Sequence, residues 1–294
     1  MVDMIPRIAE ALAKAMGVAA TRVRKDVRGL LAAALEKESF PLARQQLEII
    51  LANLDLGVKQ CAPYCQDTGI IHVFAALGEK FPVQAGIYAA IEAGIVRATR
   101  DVPLRPNSID PVSEQKYPDN TGPGLPDVTI RIVPGDALEM DVMLKGGGSE
   151  NMSRLFMLEP IGALECIPEL VADLMIEAGG KPCPPVIIGI GLGGGASGCI
   201  ALAKKALLRD LGKPNHDTAT AALEQRVLGE VNETGIGPMG LGGDTTCIAV
   251  HVEAMPRHPA SYPVGVVVEC YAHRHAHVRV NADGSYKVKE EAHE

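Results

Sequence analysis

Hydrophobic periodicity changes at Cys61, and that switch constrains the fold more than any single motif. Before it, "IPRIAEALAKAM", "TRVRKDVRGLLAAALEKE" and "PLARQQLEIILANLDLGVKQ" space apolar residues three and four apart with charges between. That spacing predicts amphipathic helices across residues 1–60, with Thr21 and Ser39 as caps. After Cys61, short apolar runs alternate with Gly/Pro punctuation and further helices. "IIHVFAALG", "PPVIIGIGLGG", "DTTCIAVHVEAMP" and "YPVGVVVECYAHRHAHVRVNADG" read as strand-rich, and "DVTIRIVPGDALEMDVML" as two strands around a Pro-Gly turn. "VQAGIYAAIEAGIVRATRD", "EPIGALECIPELVADLMIEAGG", "ASGCIALAKKALLRDLG" and "TAALEQRVLGEVNET" read as helices. The expected fold is α+β (mixed α/β): a helical segment, 1–60, and a mixed-sheet body, 61–294, forming one structural unit. The tail from Lys287 is expected to be loose.

Aromatics make up only 3% of the 294 residues and Trp is absent, so the core must be aliphatic. A net charge of −8 argues against nucleic acid as a partner. No apolar run reaches membrane-spanning length, and the charged N-terminus lacks a signal-peptide pattern, so a cytoplasmic protein is expected. Seven cysteines, an odd number, then suit thiols, ligands or core fillers better than disulfides.

"GIGLGGGASG" follows a strand and opens a helix, matching the dinucleotide fingerprint in form. The fingerprint also requires an acidic residue at the end of a second strand. Asp210 has the spacing but lies in a helical reading, so a nicotinamide site is not expected.

Cys166, Cys199 and Cys247 lie among apolar neighbours and read as buried core residues. Cys61 with Cys65 could form half a zinc site, but no second pair completes one. His273, His275 and His277 form a period-2 trio that reads as a solvated strand end rather than a metal site. Cys65, Cys183 and Cys270 each stand where a strand meets a loop, where α/β proteins assemble sites.

In this order, "CQDTG", "LRPNSIDP", "KGGGSEN", "CPPVIIGIGLGG", "IGPMGLGGDTT" and "RHPASYPVGVVVEC" resemble the α region of iron–sulfur-dependent class I fumarases and L-tartrate dehydratases. The resemblance implies a [4Fe–4S] cluster on Cys65, Cys183 and Cys270, with one iron left open as a Lewis acid. It implies catalytic or substrate roles for Gln66 and Asp67, with Asp67 hydrogen-bonding or protonating the departing hydroxyl. The bland reading of Asp67 is an Asx-turn residue. Arg105 would clamp a carboxylate, Gly147 would contact substrate through its backbone, and Lys145 would add positive potential. Ser149 and Asn151 would orient that loop, and His258 would serve as a substrate-site histidine. The family's β region has no counterpart in the chain. A β-subunit partner, an α2β2 assembly and fumarate hydration to malate are therefore expected. L-tartrate or methylated fumarates are alternative substrates. A zinc- or anion-binding module without hydratase activity is the alternative of another class.

Overall fold

The structure is a computed structural model of the chain in which residues 3–289 are described. It contains helices and two mixed sheets, an α+β protein. The chain forms two compact units: one from Met1–Val23, Leu54–Gly147 and Arg274–Glu294, the other from Arg24–Asn53 and Gly148–His273.

In the first unit, α1 (Met4–Thr21) and α4 (Ile87–Asp101) cover a five-stranded sheet. Its strands are β1 (Ile70–Gly78), β2 (Asp127–Val133), β3 (Leu138–Lys145), β8 (His275–Val280) and β9 (Tyr286–Val288). Their order is β2-β1-β3-β8-β9, with β1/β2 parallel and the other pairs antiparallel. β2 and β3 are joined through the Pro-Gly turn but are not neighbours, because β1 lies between them. Alternate residues Ile71, Val73, Ala75 and Leu77 of β1 enter the core with Met140, Val142 and Leu144 of β3. Each fully buried Ile, Leu or Val contributes about 1.5–3 kcal/mol. The helices approach closely through small residues: a Cβ on Gly94 would stand 2.9 Å from the Ala9 carbonyl oxygen. This close approach lets a core with few aromatics fill its volume.

Several expectations are corrected here. Thr21 ends α1 rather than capping the next helix, and its hydroxyl donates to Gly17 O at 2.8 Å. Ser39 stands two positions before the helix that begins at Pro41, one short of the cap position, and its backbone N–H donates to Asp244 Oδ2 at 2.8 Å. The stretch from Lys287 is not wholly loose, because Tyr286–Val288 pairs with β8; residues 290–294 lie outside the described residues.

In the second unit, β4 (Arg154–Leu158), β5 (Val186–Gly194), β6 (Cys247–Arg257) and β7 (Tyr262–Glu269) form a sheet of order β4-β7-β5-β6. The β5/β6 pair is parallel and the rest antiparallel. α6 (Ala163–Ala178) and α8 (Thr218–Glu233) pack on the face carrying Ile188, Ile190, Val250 and Val266. α7 (Ala196–Ala206) lies on the opposite face, against Gly189, Gly191 and Gly265. A Cβ at Gly189 would fall 2.2 Å from Ala203 O, and one at Gly191 2.0 Å from Cys199 O. The alternation of Ile and Gly in "VIIGIGLGG" is therefore a period-2 strand pattern, large toward α6 and α8, absent toward α7. Gly193 and Gly194 are closed by Met255 in the same way. Asp210 follows α7 and pairs with Arg24 at 3.2 Å and Lys213 at 2.8 Å, not with the end of a strand. The fingerprint's close approaches are all made to protein.

The second unit also contains α2 (Lys25–Lys37) and α3 (Pro41–Gln60) as far as Asn53. Among the described residues no helix is long and apolar enough to cross a membrane.

Candidate active site

The Cys65 loop lies at one end of the first unit's sheet, between α3 and β1. Tyr64 anchors it: its N–H donates to Ala20 O at 3.3 Å and its hydroxyl to Ala19 O at 3.1 Å. Cys65 is half-buried, Gln66 exposed and Asp67 half-buried. Gly69 adopts φ +77, and a Cβ there would stand 2.1 Å from Lys145 O, so only glycine fits. Thr68, buried, donates its hydroxyl to Arg105 O at 2.7 Å, which holds the Arg105 loop while its side chain stays exposed.

Asp67 organises this end of the sheet. Its Oδ1 accepts from Gly69 N–H at 2.8 Å and from Asn107 Nδ2 at 2.5 Å. Its Oδ2 accepts from Gly147 N–H at 2.8 Å. Arg274 Nη1 donates to the Asp67 carbonyl oxygen. The Asx-turn geometry is thus real, and two other loops are tied to the same carboxylate. Gly147, which the resemblance assigns to substrate, spends its N–H on Asp67. Lys145 is fully buried and Arg274 is 2% exposed, so two cations lie at this sheet end.

In the second unit, Cys183 and Cys270 lie where β5 begins and β7 finishes. Tyr271 N–H donates to Cys183 O at 3.3 Å, which brings the two cysteine turns together. Cys183 adopts φ +54, a left-handed conformation costing a non-glycine residue about 1–2 kcal/mol. Its turn is braced by Met239 N–H to Pro184 O at 2.8 Å and by Gly180 packed on Met239 O. The "GIGPMGLGGDTT" loop therefore supports Cys183. That loop is fixed in turn by Glu38, whose carboxylate accepts from Asp244 N–H at 2.9 Å. Gly148 belongs here too: a Cβ would stand 2.7 Å from Lys181 O. Ser149 is buried and Asn151 exposed.

His258 does not join these cysteines. It sits exposed in the turn before β7, whereas Cys270 follows that strand's last residue. Eight residues of strand separate them, roughly 27 Å. Its Nδ1 accepts from Ala260 N–H at 3.1 Å and shapes the turn. The histidine trio is corrected as well. His273 and His275 are 1% and 6% exposed rather than solvated, and only His275 and His277 lie on β8. His277 pairs with Asp141 at 3.0 Å.

None of the seven cysteines forms a disulfide. Cys199 and Cys247 are buried, and burial pushes the Cys247 thiol up to about 12 and raises Cys199 as well. Cys166, expected in the core, is exposed on α6, and Cys61 is also exposed. Cys65, Cys183 and Cys270 alone are half-buried. Among the described residues no three His, Cys, Asp or Glu side chains are gathered to hold a single metal ion. A cuboidal cluster makes a different demand, because it takes thiolates at separate corners. Three thiols at intermediate burial suit such a group chemically, since a ligand sulfur must lose its proton and still be screened from water.

Sequence reasoning missed Asn107, Arg274 and Tyr64. Each lies beside or within a motif already singled out, but its role depends on contacts that span 40 to 207 positions or reach back to α1.

Helices on mixed sheets, a carboxylate held by three donors and two tethered cysteine turns make up this α+β protein. The sequence model of the fumarate hydratase (Fumerase) family matches residues 9–279. A putative L(+)-tartrate dehydratase subunit alpha of Methanocaldococcus jannaschii is 38% identical over 94% of this chain and 99% of its own length. The L(+)-tartrate dehydratase subunit alpha of Escherichia coli strain UTI89 is 31% identical over 96% of this chain and 94% of its own. That of strain K12 is 30% identical over the same shares. The chain belongs to the fumarate hydratase family of hydro-lyases, together with the tartrate dehydratase alpha subunits.

Proposed function

We propose that this chain is the cluster-bearing α subunit of a two-component hydro-lyase that interconverts fumarate and malate. Cys65, Cys183 and Cys270 would hold a [4Fe–4S] cluster. The observation that carries the reading is the selectivity of burial: the three motif cysteines are the half-buried ones, while the other four are sealed or open.

When bound, the cluster supplies a Lewis-acid iron for a substrate oxygen. The chain's own residues bind, orient and move protons. Arg105, exposed on a loop held by Thr68, offers a planar fork to a substrate carboxylate. Lys145 and Arg274 bias the sheet end toward a dianion. Gln66 is a neutral donor and acceptor beside the cluster ligand. Asp67 carries the proton of the departing or arriving hydroxyl at Oδ2, with Oδ1 occupied by Gly69 and Asn107. Gly147 acts through Asp67. His258 receives no step within the same chain. The base that handles the carbon-bound proton belongs to the β subunit, in an α2β2 assembly.

L-tartrate is the second reading, favoured by the names of the relatives. Both substrates lose water from a hydroxy dicarboxylate, so the residues above serve either. The test is anaerobic co-expression with a β subunit, followed by assays on malate, fumarate and L-tartrate. The complex is expected to hydrate fumarate. Turnover of L-tartrate alone would move the assignment to the second reading, and turnover of neither would overturn both.

A further inference from the structure

The Asp67 carboxylate has about four acceptor positions, and three are filled by Gly69 N–H, Asn107 Nδ2 and Gly147 N–H. Both hydrogen bonds to Oδ1 come from the chain itself, so the remaining capacity lies on Oδ2. Gly69 donates through the backbone and cannot be tuned by its side chain. Asn107 is different, because a side-chain amide at this place is a choice of residue.

Asn107 is itself held. Its backbone N–H donates to Asn120 Oδ1 at 3.0 Å. Asn120 is 2% exposed, and its Nδ2 donates to Thr99 Oγ1 at 3.0 Å. Thr99 in turn donates to Ile95 O at 2.9 Å, inside α4. A continuous chain of hydrogen bonds thus runs from a packed helix through two asparagines to Asp67. The same loop carries Arg105, whose carbonyl is held by Thr68 next to Asp67. One device therefore fixes the carboxylate and the guanidinium loop together.

We propose that Asn107 is a positioning residue: anchored by Asn120, it pins Oδ1 of Asp67 and leaves Oδ2 as the oxygen that meets the substrate hydroxyl. The inference rests on the hydro-lyase reading above. Bland alternatives exist for an asparagine in a loop, usually a turn contact to its own backbone. Here the side chain instead reaches a carboxylate 40 residues away.

The test uses the anaerobically reconstituted α–β complex carrying Asn107→Ala or Asn107→Asp, with iron content and melting temperature as controls for folding. Asn107→Ala is expected to lower kcat about 10- to 100-fold with KM within about threefold, the pattern of a misplaced group rather than lost substrate binding. Asn107→Asp keeps the shape of the side chain but removes its N–H donor, so it is expected to lower kcat at least as far as Asn107→Ala, again with KM within about threefold. A purely structural role would move iron content and melting temperature instead of kcat alone. A wild-type kcat in folded, iron-loaded Asn107→Ala or Asn107→Asp overturns the inference while leaving the hydro-lyase reading intact. A wild-type complex that turns over neither fumarate, malate nor L-tartrate overturns that reading and this inference with it. If Asn107→Ala fails to fold, the isosteric Asn107→Asp decides by its kcat against its KM.

Discussion

Asp67 shows how much structure one side chain can carry beside its chemistry. Its carboxylate links the Cys65 loop, the Asn107 loop and the Gly147 turn. The cysteines are sorted at the same scale by screening from water. Cys247, at about 12, does not supply a thiolate near neutral pH. Serine at 65, 183 or 270 is therefore expected to bring iron and acid-labile sulfide down to background after anaerobic reconstitution. Serine at the exposed Cys61 or Cys166 should leave both at wild-type content. Equal loss at all five positions would mean that burial does not mark the ligands. The left-handed backbone at Cys183 sharpens the point, because a residue there for packing alone would be better as glycine.

At the scale of elements, strand pairing explains what patterning could and could not reveal. Helices α1, α4, α6, α7 and α8 were legible because their apolar spacing is strong, and the strands because Gly and Pro bound them. The order β2-β1-β3 was not legible, since two strands joined by a short turn usually pair with each other. Nor was the purpose of the Ile-Gly alternation in β5, whose meaning lies in α7 passing within contact of the backbone. His275 and His277 looked polar and therefore solvated; the pairing of β8 with β3 instead places His277 beside Asp141. The hydrogen bond that His277 donates to Asp141 raises its imidazole above the ordinary value. Its stabilisation is fully present below the unfolded value, about 6.5, and is lost as pH rises through the raised folded value. The pair is partly exposed, so its worth is about 0.5 kcal/mol. His277→Gln should lower the melting temperature at pH 6 and leave it unchanged at pH 9; an equal loss at both would remove the ion pair as the cause.

At the scale of the whole chain, Cys65 belongs to one compact unit, and Cys183 and Cys270 to the other. The ordered motifs made the family legible over most of residues 45–275, within the stretch 9–279 that the family model matches. Motif order gave no hint that the chain would be shared between units at Val23, Asn53, Gly147 and His273. That sharing depends on long-range packing, which local periodicity does not encode. The relatives' names as alpha subunits bear on completeness of the site. This chain purified anaerobically by itself should carry iron and sulfide yet convert fumarate at a small fraction of the rate of the α–β complex. Full activity from the lone chain would sink the split-site proposal.

The interleaving of the units has a consequence for synthesis. The unit holding Cys183 and Cys270 has all its residues once position 273 has left the ribosome. The other unit starts earlier, yet its sheet waits for β8 and β9, the last strands to emerge. The half of the protein begun first is finished last, and until then β3 presents a bare edge that a nascent neighbour could capture.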